Sequence, residues 1–250
     1  MATHYNYKLG KFPYFSFDAQ SVSTYKSDTV IRDRIGGGEM TAGGVTIASQ
    51  TQGKSYTFAN SLTAFSSVDD IQYTVPESRY LNYFLDLNGC AAFVTFNNTS
   101  LLDENAQNAR RQTPFSFGTD SNLGGWNFER FKISSNFLLR VKFDQDGTYG
   151  FTKSFGDVAL NEIVQLGFQI RDNNLLMYNN GVLVETTSVS SKTFTPANFT
   201  AYPGRKLGIG ASNGSIYGFI GKIFNATWWK TSLTDEEIKL FYNQTVSRYS

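Results

Sequence analysis

The sequence has one cysteine and one histidine among its 250 residues, and these shortages exclude several kinds of chemistry. Cys90 has no second cysteine with which to form an internal disulfide, and its apolar setting in GCAAFVTF predicts a small core residue. Because His4 lies near the N-terminus, a Ser-His-Asp or Cys-His nucleophile has no base unless that terminus folds inward. Zinc sites built from His and Cys also have too few ligands. These chemistries are therefore not expected.

Strong net charge and long apolar runs are missing as well. The formal net charge is +1, which predicts no nucleic-acid partner and no anionic membrane surface as a partner. No run of about 18 apolar residues occurs, so no membrane insertion is expected. The N-terminus, MATHYNYKLGKFPYF, has no apolar signal segment, and with a single cysteine this favours synthesis in a reducing cytoplasm.

Aromatic residues and glycines are plentiful instead, with 22 Phe, 14 Tyr and 22 Gly. Apolar residues alternate with polar ones in FLLRVKF (137–143) and VQLGFQI (164–170), and KLGIG (206–210) continues the pattern. The Asn-Gly pair in NNG (179–181), between two apolar runs, predicts a hairpin turn. Strands in such succession without intervening helices predict an all-β, antiparallel sandwich or jelly roll.

One segment near the C-terminus, WWKTSLTDEEIKLFYN, predicts a helix over 234–243. Thr234 and Glu237 have the spacing of a capping box, and acidic residues fill the first turn. A helix this short requires an apolar surface on which to dock. The preceding Trp228 and Trp229 point to opposite faces of a strand, so one is expected in the core and one outside. A second helix candidate, 101–112, is equally well explained as a polar loop.

The run LLMYNNGVLVETT, followed by LGIG and GFIGKIFNATWWKTSLTDEEIKLFYN, resembles the C-terminal part of laminin G-like, concanavalin A-like domains. That family has a Tyr-x-(Asn/Asp)-Gly turn, an Ile-Gly strand, a Gly-x-Ile strand and a Leu-(Ser/Thr)-Asp-x-Glu-Ile helix. The matching positions are Tyr178, Asn180, Gly181, Ile209, Gly210, Gly221, Ile223, Leu233, Thr234, Asp235, Glu237 and Ile238. The segments FDAQSVSTY (17–25), TVIRDRIGGG (29–38) and SYTFAN (55–60) resemble the opening of phage-encoded members, with Ile31 where those members have Trp.

The resemblance implies a concanavalin A-like jelly-roll sandwich with a short C-terminal helix, formed as a single domain by residues 14–250 after an N-terminal arm, 1–13. Hydrolases of the superfamily resemble one another in a Glu-x-Asp-x-(x)-Glu strand, and no Glu-x-Asp occurs in this sequence. We therefore expect a non-enzymatic, virion-associated structural or attachment protein, namely a phage capsid fibre, decoration or tail component exposed on the particle surface. Its expected partners are other virion subunits, as a homo-oligomer, and a cell-surface glycan. A stand-alone lectin or carbohydrate-binding module is the alternative, and a glycoside hydrolase of the same fold is the third.

The candidate carbohydrate site is in SNLGGWNFER (121–130) and the residue before it. An exposed indole beside amide groups suits a sugar, because the flat apolar face packs against the pyranose ring while polar groups bind the hydroxyls. This hypothesis makes Trp126 the platform and Asn127, Asp120 and Asn122 the hydrogen-bonding residues. The alternative is that Trp126 packs beneath a loop.

No cofactor is required by this interpretation, and calcium is the candidate metal. If strands 137–143, 148–155 and 163–170 alternate in direction, the turns DQDG (144–147) and RDNN (171–174) lie at the same end. Three carboxylates, those of Asp144, Asp146 and Asp172, would then line one rim, with Asn173 as a further oxygen donor. Calcium prefers such oxygen ligands. Both sequences are also typical of ordinary turns.

Overall fold

The computed structural model of the chain describes residues 11, 13, 15–19, 25–27, 30–32, 39–43, 46–50, 53–59, 70–74, 89–100, 111–118, 125–131, 136–142, 149–189, 206–211 and 218–249. Within them the elements are β1 (Phe15–Asp18), β2 (Tyr25–Ser27), β3 (Val30–Arg32), β4 (Glu39–Gly43), β5 (Thr46–Gln50), β6 (Gly53–Ala59), β7 (Asp70–Thr74), β8 (Ala91–Asn98), β9 (Arg111–Gly118), β10 (Gly125–Phe131), β11 (Asn136–Lys142), β12 (Tyr149–Asp157), β13 (Ile163–Arg171), β14 (Asn174–Asn179), β15 (Val182–Ser188), β16 (Lys206–Ile209), β17 (Ile220–Trp229) and the helix α1 (Asp235–Val246).

The strands form two antiparallel sheets. Sheet A has the order β15-β14-β13-β8-β17-β6-β5, and β1 pairs with the second half of β17. Sheet B has the order β12-β11-β10-β9-β16-β7-β4-β3-β2. Neighbours in each sheet come from distant parts of the chain, as in the β8–β17 and β9–β16 pairs. The expected all-β, antiparallel concanavalin A-like sandwich with a short C-terminal helix is confirmed.

The main core lies between the two sheets and is built from alternate residues of each strand. Large aromatic side chains meet across it: the indole rings of Trp126 on sheet B and Trp228 on sheet A stack at 5.2 Å and 4°. The rings of Phe96 and Phe137 pack across the sheets at 4.9 Å. Cys90 is fully buried, as predicted for a small core residue.

The C-terminal helix begins as the sequence predicts and runs slightly further. Thr234 is the N-cap, its hydroxyl accepts from the Glu237 N–H, and the Glu237 carboxylate accepts from the Thr234 N–H. The helix ends at Val246 rather than at 243. The second helix candidate is wrong at its end, because Arg111 and Gln112 belong to β9; residues 101–110 lie outside the described ranges.

Helix α1 covers part of the outward face of sheet A through a second apolar cluster. This cluster contains Ala91, Phe93, Leu176, Tyr178, Trp229, Leu233, Ile238 and Phe241. Trp228 and Trp229 do point to opposite faces, as expected. Trp228 lies in the core between the sheets, and Trp229 lies on the outer face, where helix α1 buries it completely. Within the described ranges, no helix is long and apolar enough to cross a bilayer.

Two tight turns fix the hairpins of sheet A. Asp172 and Asn173 join β13 to β14 with φ of 51° and 60°. Asn180 and Gly181 join β14 to β15 with φ of 52° and 74°, which confirms the predicted Asn-Gly hairpin. A Cβ added to Gly181 would lie 2.9 Å from the Tyr242 Cβ, so glycine also lets this turn pack against α1.

The division into an arm, 1–13, and a single domain, 14–250, stays a prediction. Lys11, within the arm, donates a hydrogen bond to the Glu237 carboxylate at 2.7 Å. This contact brings that part of the N-terminal segment to the start of α1.

Candidate functional site

The outward faces of the two sheets differ in chemistry. On sheet A the outward face carries the apolar cluster beneath α1. On β10 of sheet B, Trp126 and Phe128 point into the core, so the alternating Asn127 and Glu129 point outward. Arg140 and Ser116 lie directly opposite Asn127 on β11 and β9. Sheet B therefore presents a polar face on its central strands.

Glu129 lies at the centre of this face, and its carboxylate is completely buried between two arginines. Its Oε1 lies 2.6 Å from the Arg140 guanidinium, and its Oε2 lies 3.6 Å from that of Arg111. The Asn127 amide donates to the same Oε2 at 2.8 Å. One carboxylate thus orients residues from β9, β10 and β11, and we call Arg111, Asn127, Glu129 and Arg140 the arginine cluster.

The two arginines are the members of the cluster that reach the surface. The side chain of Arg111 is 19% exposed and that of Arg140 is 11% exposed, whereas Glu129 is inaccessible. Two neighbouring hydroxyl residues on β12, Thr152 and Ser154, are exposed, and Thr152 lies opposite Arg140. The surface next to the cluster therefore combines guanidinium groups with hydroxyl groups.

The two guanidinium groups determine what the cluster can bind. A guanidinium group carries five donors in a planar fork that matches carboxylate and sulfate oxygens. Within the described ranges, the buried Oδ1 of Asn127 accepts no hydrogen bond. The partly exposed guanidinium groups can donate hydrogen bonds to an anion at the surface, whereas the cluster itself contains one carboxylate and no histidine for acid–base chemistry.

Arg130, on the same strand, has a different role because it points into the sandwich. Its guanidinium donates to the Asn98 side chain and to the Val158 carbonyl, and it lies 4.7 Å from the centre of the Phe137 ring. Burial lowers the pKa of Arg130 to about 10, which leaves the group charged near neutral pH. Arg130 therefore connects the two sheets and does not belong to the polar face.

The hypothesis that Trp126 is an exposed sugar platform is wrong. Its indole is 0% exposed and packs against Phe115, Phe168 and Trp228. A fully buried ring offers no face to a sugar. Trp126 lies on β10 and packs between the two sheets. The alternative that its ring is packed inside the protein is therefore the better one, although strands rather than a loop surround it.

The other three residues predicted to bind carbohydrate have different outcomes. Asn127 is buried, and its amide contacts Glu129 rather than solvent. Asp120 and Asn122 lie outside the described residues, so their role stays a prediction.

The calcium hypothesis also stays a prediction. Asp172 is exposed in the β13–β14 turn, beside Asn173, as expected. Asp144 and Asp146 lie outside the described residues. Among the residues that the structure describes, no group of three or more His, Cys, Asp and Glu side chains is arranged to hold a metal ion.

The sequence does not predict the arginine cluster, although it contains weak signals for it. In FLLRVKF, Arg140 occupies the polar position of an alternating strand, and in WNFE the polar Asn127 and Glu129 alternate with Trp126 and Phe128. Alternation predicts that such residues share a face. It does not predict that the three strands lie side by side.

The two-sheet architecture, the polar sheet face and the capped C-terminal helix define a lectin-like jelly-roll domain. The family model of the concanavalin A-like lectin/glucanases superfamily matches residues 102–239, more than half of the chain, including the whole arginine cluster. The chain belongs to this superfamily, and the laminin G-like, concanavalin A-like resemblance is confirmed. No curated protein matches the sequence.

Solved structures with the same fold include binding domains of botulinum neurotoxins. The serotype G binding domain is 14% identical, with a TM-score of 0.64, over 94% of this chain and 52% of that one. The DC binding domain, solved in complex with rat synaptotagmin II, is 13% identical, with a TM-score of 0.63, over 93% and 51%. A structure of neurotoxin type C, whose cell entry depends on two ganglioside molecules, is 12% identical, with a TM-score of 0.63, over 93% and 51%. The chain spans about half the length of these domains, and at such identities the likeness shows the fold alone.

Proposed function

We propose that this protein is a non-enzymatic attachment domain that binds an acidic saccharide on the polar face of sheet B. The observation that carries the proposal is the arginine cluster, in which a buried carboxylate holds two partly exposed guanidinium groups. A carboxylate or sulfate on a sugar would accept hydrogen bonds from Arg111 and Arg140. Sugar hydroxyls would meet the exposed Thr152 and Ser154 beside them.

Binding is a better proposal than hydrolysis for the chemistry of this face. Glycoside hydrolysis by the usual route needs two carboxyl groups, about 5–9.5 Å apart, that act as acid and as nucleophile or base. Glu129 is shielded by two arginines and is inaccessible, so it is poorly placed to reach a glycosidic oxygen. The arrangement instead suits the recognition of negative charge.

An array of neutral, sialylated and sulfated glycans, probed with fluorescently labelled multimers of the protein, tests this proposal. A single site on an open surface is expected to bind weakly, because hydroxyl groups exchange water bonds for protein bonds at little net gain. Multimers raise the apparent affinity through avidity. We expect signal on acidic glycans that falls with added salt, and little on their neutral counterparts. Equal signal on both classes, or none on either, would contradict the proposal.

We further propose that the domain acts on the surface of a phage virion as a capsid fibre, decoration or tail component. The support is the resemblance of 17–25, 29–38 and 55–60 to the opening of phage-encoded members. Mass spectrometry of gradient-purified particles is expected to detect the chain at a fixed ratio to the major capsid protein. If glycans bind but the chain is absent from particles, a stand-alone lectin becomes the better account.

A further inference from the structure

The exposed large apolar side chains of the described residues all lie on two neighbouring elements. Val182, Leu183 and Val184 of β15 are 63%, 41% and 44% exposed, and Leu240 of α1 is 36% exposed. Strand β15 is also an edge of sheet A within the described ranges. Apolar residues concentrated in one place on a protein surface mark an interaction site more often than scattered ones.

A cleft of about 540 Å³ lies between these two elements. Its walls are the β14–β15 turn and the outer side of α1, and its lining residues are Asn180, Gly181, Val182, Asp235, Glu236, Lys239, Tyr242 and Asn243. The turn is held in place, because the Asn180 side chain accepts a hydrogen bond from the Gln165 N–H at 2.8 Å. Gly181 packs directly against Tyr242. The cleft and its apolar rim form one surface, which we call the hairpin–helix surface.

Charges of both signs lie on this surface, one helical turn apart. The carboxylates of Asp235 and Glu236 are at the start of α1, and the ammonium of Lys239 follows three residues after Glu236. Hydrogen bonds from its own backbone N–H and from the Thr234 side chain lower the pKa of Glu236, so this group stays ionised at neutral pH. Asp235 already accepts from the Tyr178 hydroxyl at 2.9 Å and lies 3.6 Å from Arg171. Glu236 and Lys239 are exposed and form no ion pair with another described residue, so they are the charges best placed to meet a partner.

We propose that two copies of this chain associate through the hairpin–helix surface about a two-fold axis. A two-fold interface brings the same patch of both copies together, so residue i meets residue j and j meets i. With the two α1 helices antiparallel, Lys239 of each copy lies against Glu236 of the other. The apolar side chains of Leu183, which lies opposite Tyr178 on the α1 side of sheet A, and of Leu240 then pack between the copies and leave water.

Association through side chains fits this sheet edge better than pairing of the two β15 strands into one continuous sheet. The register of β14 and β15 shifts between Met177 and Tyr178, which leaves Val184 as an extra residue in the ladder. Such a bulge twists an edge strand and interrupts further pairing. Further along β15, Glu185 lies 3.5 Å from Lys153 of β12 in sheet B, so its charge is engaged within the same copy. A small, side-chain-mediated interface of this kind is expected to be weak and concentration-dependent.

Sedimentation velocity of the full chain over a range of concentrations, with a charge-swap series, tests the proposal. The wild type is expected to form dimers. Glu236→Lys places two lysines together, and Lys239→Glu places two glutamates together, so each single variant should weaken the dimer about ten-fold or more. The double variant Glu236→Lys/Lys239→Glu restores opposite charges across the axis and should recover most of the association. The double variant and Glu236→Lys carry the same positive charge at the helix N-terminus, so this charge destabilises α1 in both. A recovery of association in the double variant therefore reports the restored charge pair and not a more stable helix.

Two further variants test the apolar part of the hairpin–helix surface. Leu183→Ser and Leu240→Ser are expected to weaken dimerisation, whereas Thr186→Ser, at an exposed position of the same strand outside the cleft, should not. Far-ultraviolet circular dichroism confirms that each variant is folded. A wild type that remains monomeric at millimolar concentration would overturn the proposal. So would single charge variants that dimerise like the parent, or a double variant that associates no better than either single one.

Discussion

Trp126→Ala is expected to lower the free energy of unfolding by about 3–5 kcal/mol, as for other large aromatic residues removed from a core. The cause is the loss of packing on both sheets at once, because this indole stacks on Trp228 and meets the edges of Phe115 and Phe168. Urea unfolding followed by circular dichroism at 25 °C gives the value. Trp126→Phe is the matched variant and should cost less, since it keeps an aromatic ring in the same place.

The same two variants separate a core residue from a surface platform. A buried Trp126 predicts a large loss of stability and, in whatever fraction stays folded, glycan binding like that of the parent. An exposed platform predicts nearly unchanged stability and lost binding. The second result would contradict the packing of the two sheets described above.

Glu129→Gln is expected to lower the free energy of unfolding by about 3 kcal/mol, near the lower end for removing one partner of a buried ion pair. The substitution keeps the shape of the side chain but leaves two guanidinium groups without their shared carboxylate. We place the value at the lower end because both arginines reach solvent in part. Chemical unfolding at neutral pH measures it.

Glu185→Gln is the matched control, because it also removes a carboxylate from a Lys or Arg pair between strands. Its contact with Lys153 is partly exposed, and its loss is expected to leave the unfolding midpoint almost unchanged. If both variants unfold like the parent, the arginine cluster is not held together by Glu129. The geometry proposed for ligand binding would then lose its basis.

The C-terminal part of the fold is predictable from sequence because its signals are local. A capping box needs two side chains three residues apart, and Thr234 and Glu237 form both of its hydrogen bonds. The Asn180–Gly181 turn depends on two residues that tolerate positive φ. Neither feature requires knowledge of the rest of the chain.

The sequence predicts an exposed Trp126 because the glycines before it resemble a loop. Gly125 is the first residue of β10, and a Cβ there would lie 1.9 Å from the Phe117 carbonyl oxygen on β9. Glycine at this position therefore permits the close approach of two strands. A single sequence does not distinguish a glycine of this kind from one in a turn.

The arginine cluster was not predictable for a different reason. Arg111, Glu129 and Arg140 are far apart in sequence and meet because β9, β10 and β11 are adjacent in sheet B. The pairing of β9 and β10 also shifts register between Phe128 and Arg130, next to Glu129. Strand order and register are set by packing of the whole sandwich, and local residue patterns do not encode them.

Isothermal titration calorimetry of the wild type and Arg111→Gln with acidic and neutral oligosaccharides tests the central claim most directly. The acidic probes are sialyllactose and a sulfated heparin tetrasaccharide, and their neutral counterparts are lactose and the desulfated tetrasaccharide. Arg111 is chosen because its contact with Glu129 is the looser of the two, at 3.6 Å, so its loss should disturb folding least. Lys230→Gln, an exposed charge at the end of β17 in sheet A, is the control. We expect binding of at least one acidic probe, weakened about ten-fold or more by Arg111→Gln and unchanged by Lys230→Gln. Equal binding of acidic and neutral probes, or full affinity in Arg111→Gln, would contradict the claim that the polar face of sheet B recognises an acidic saccharide.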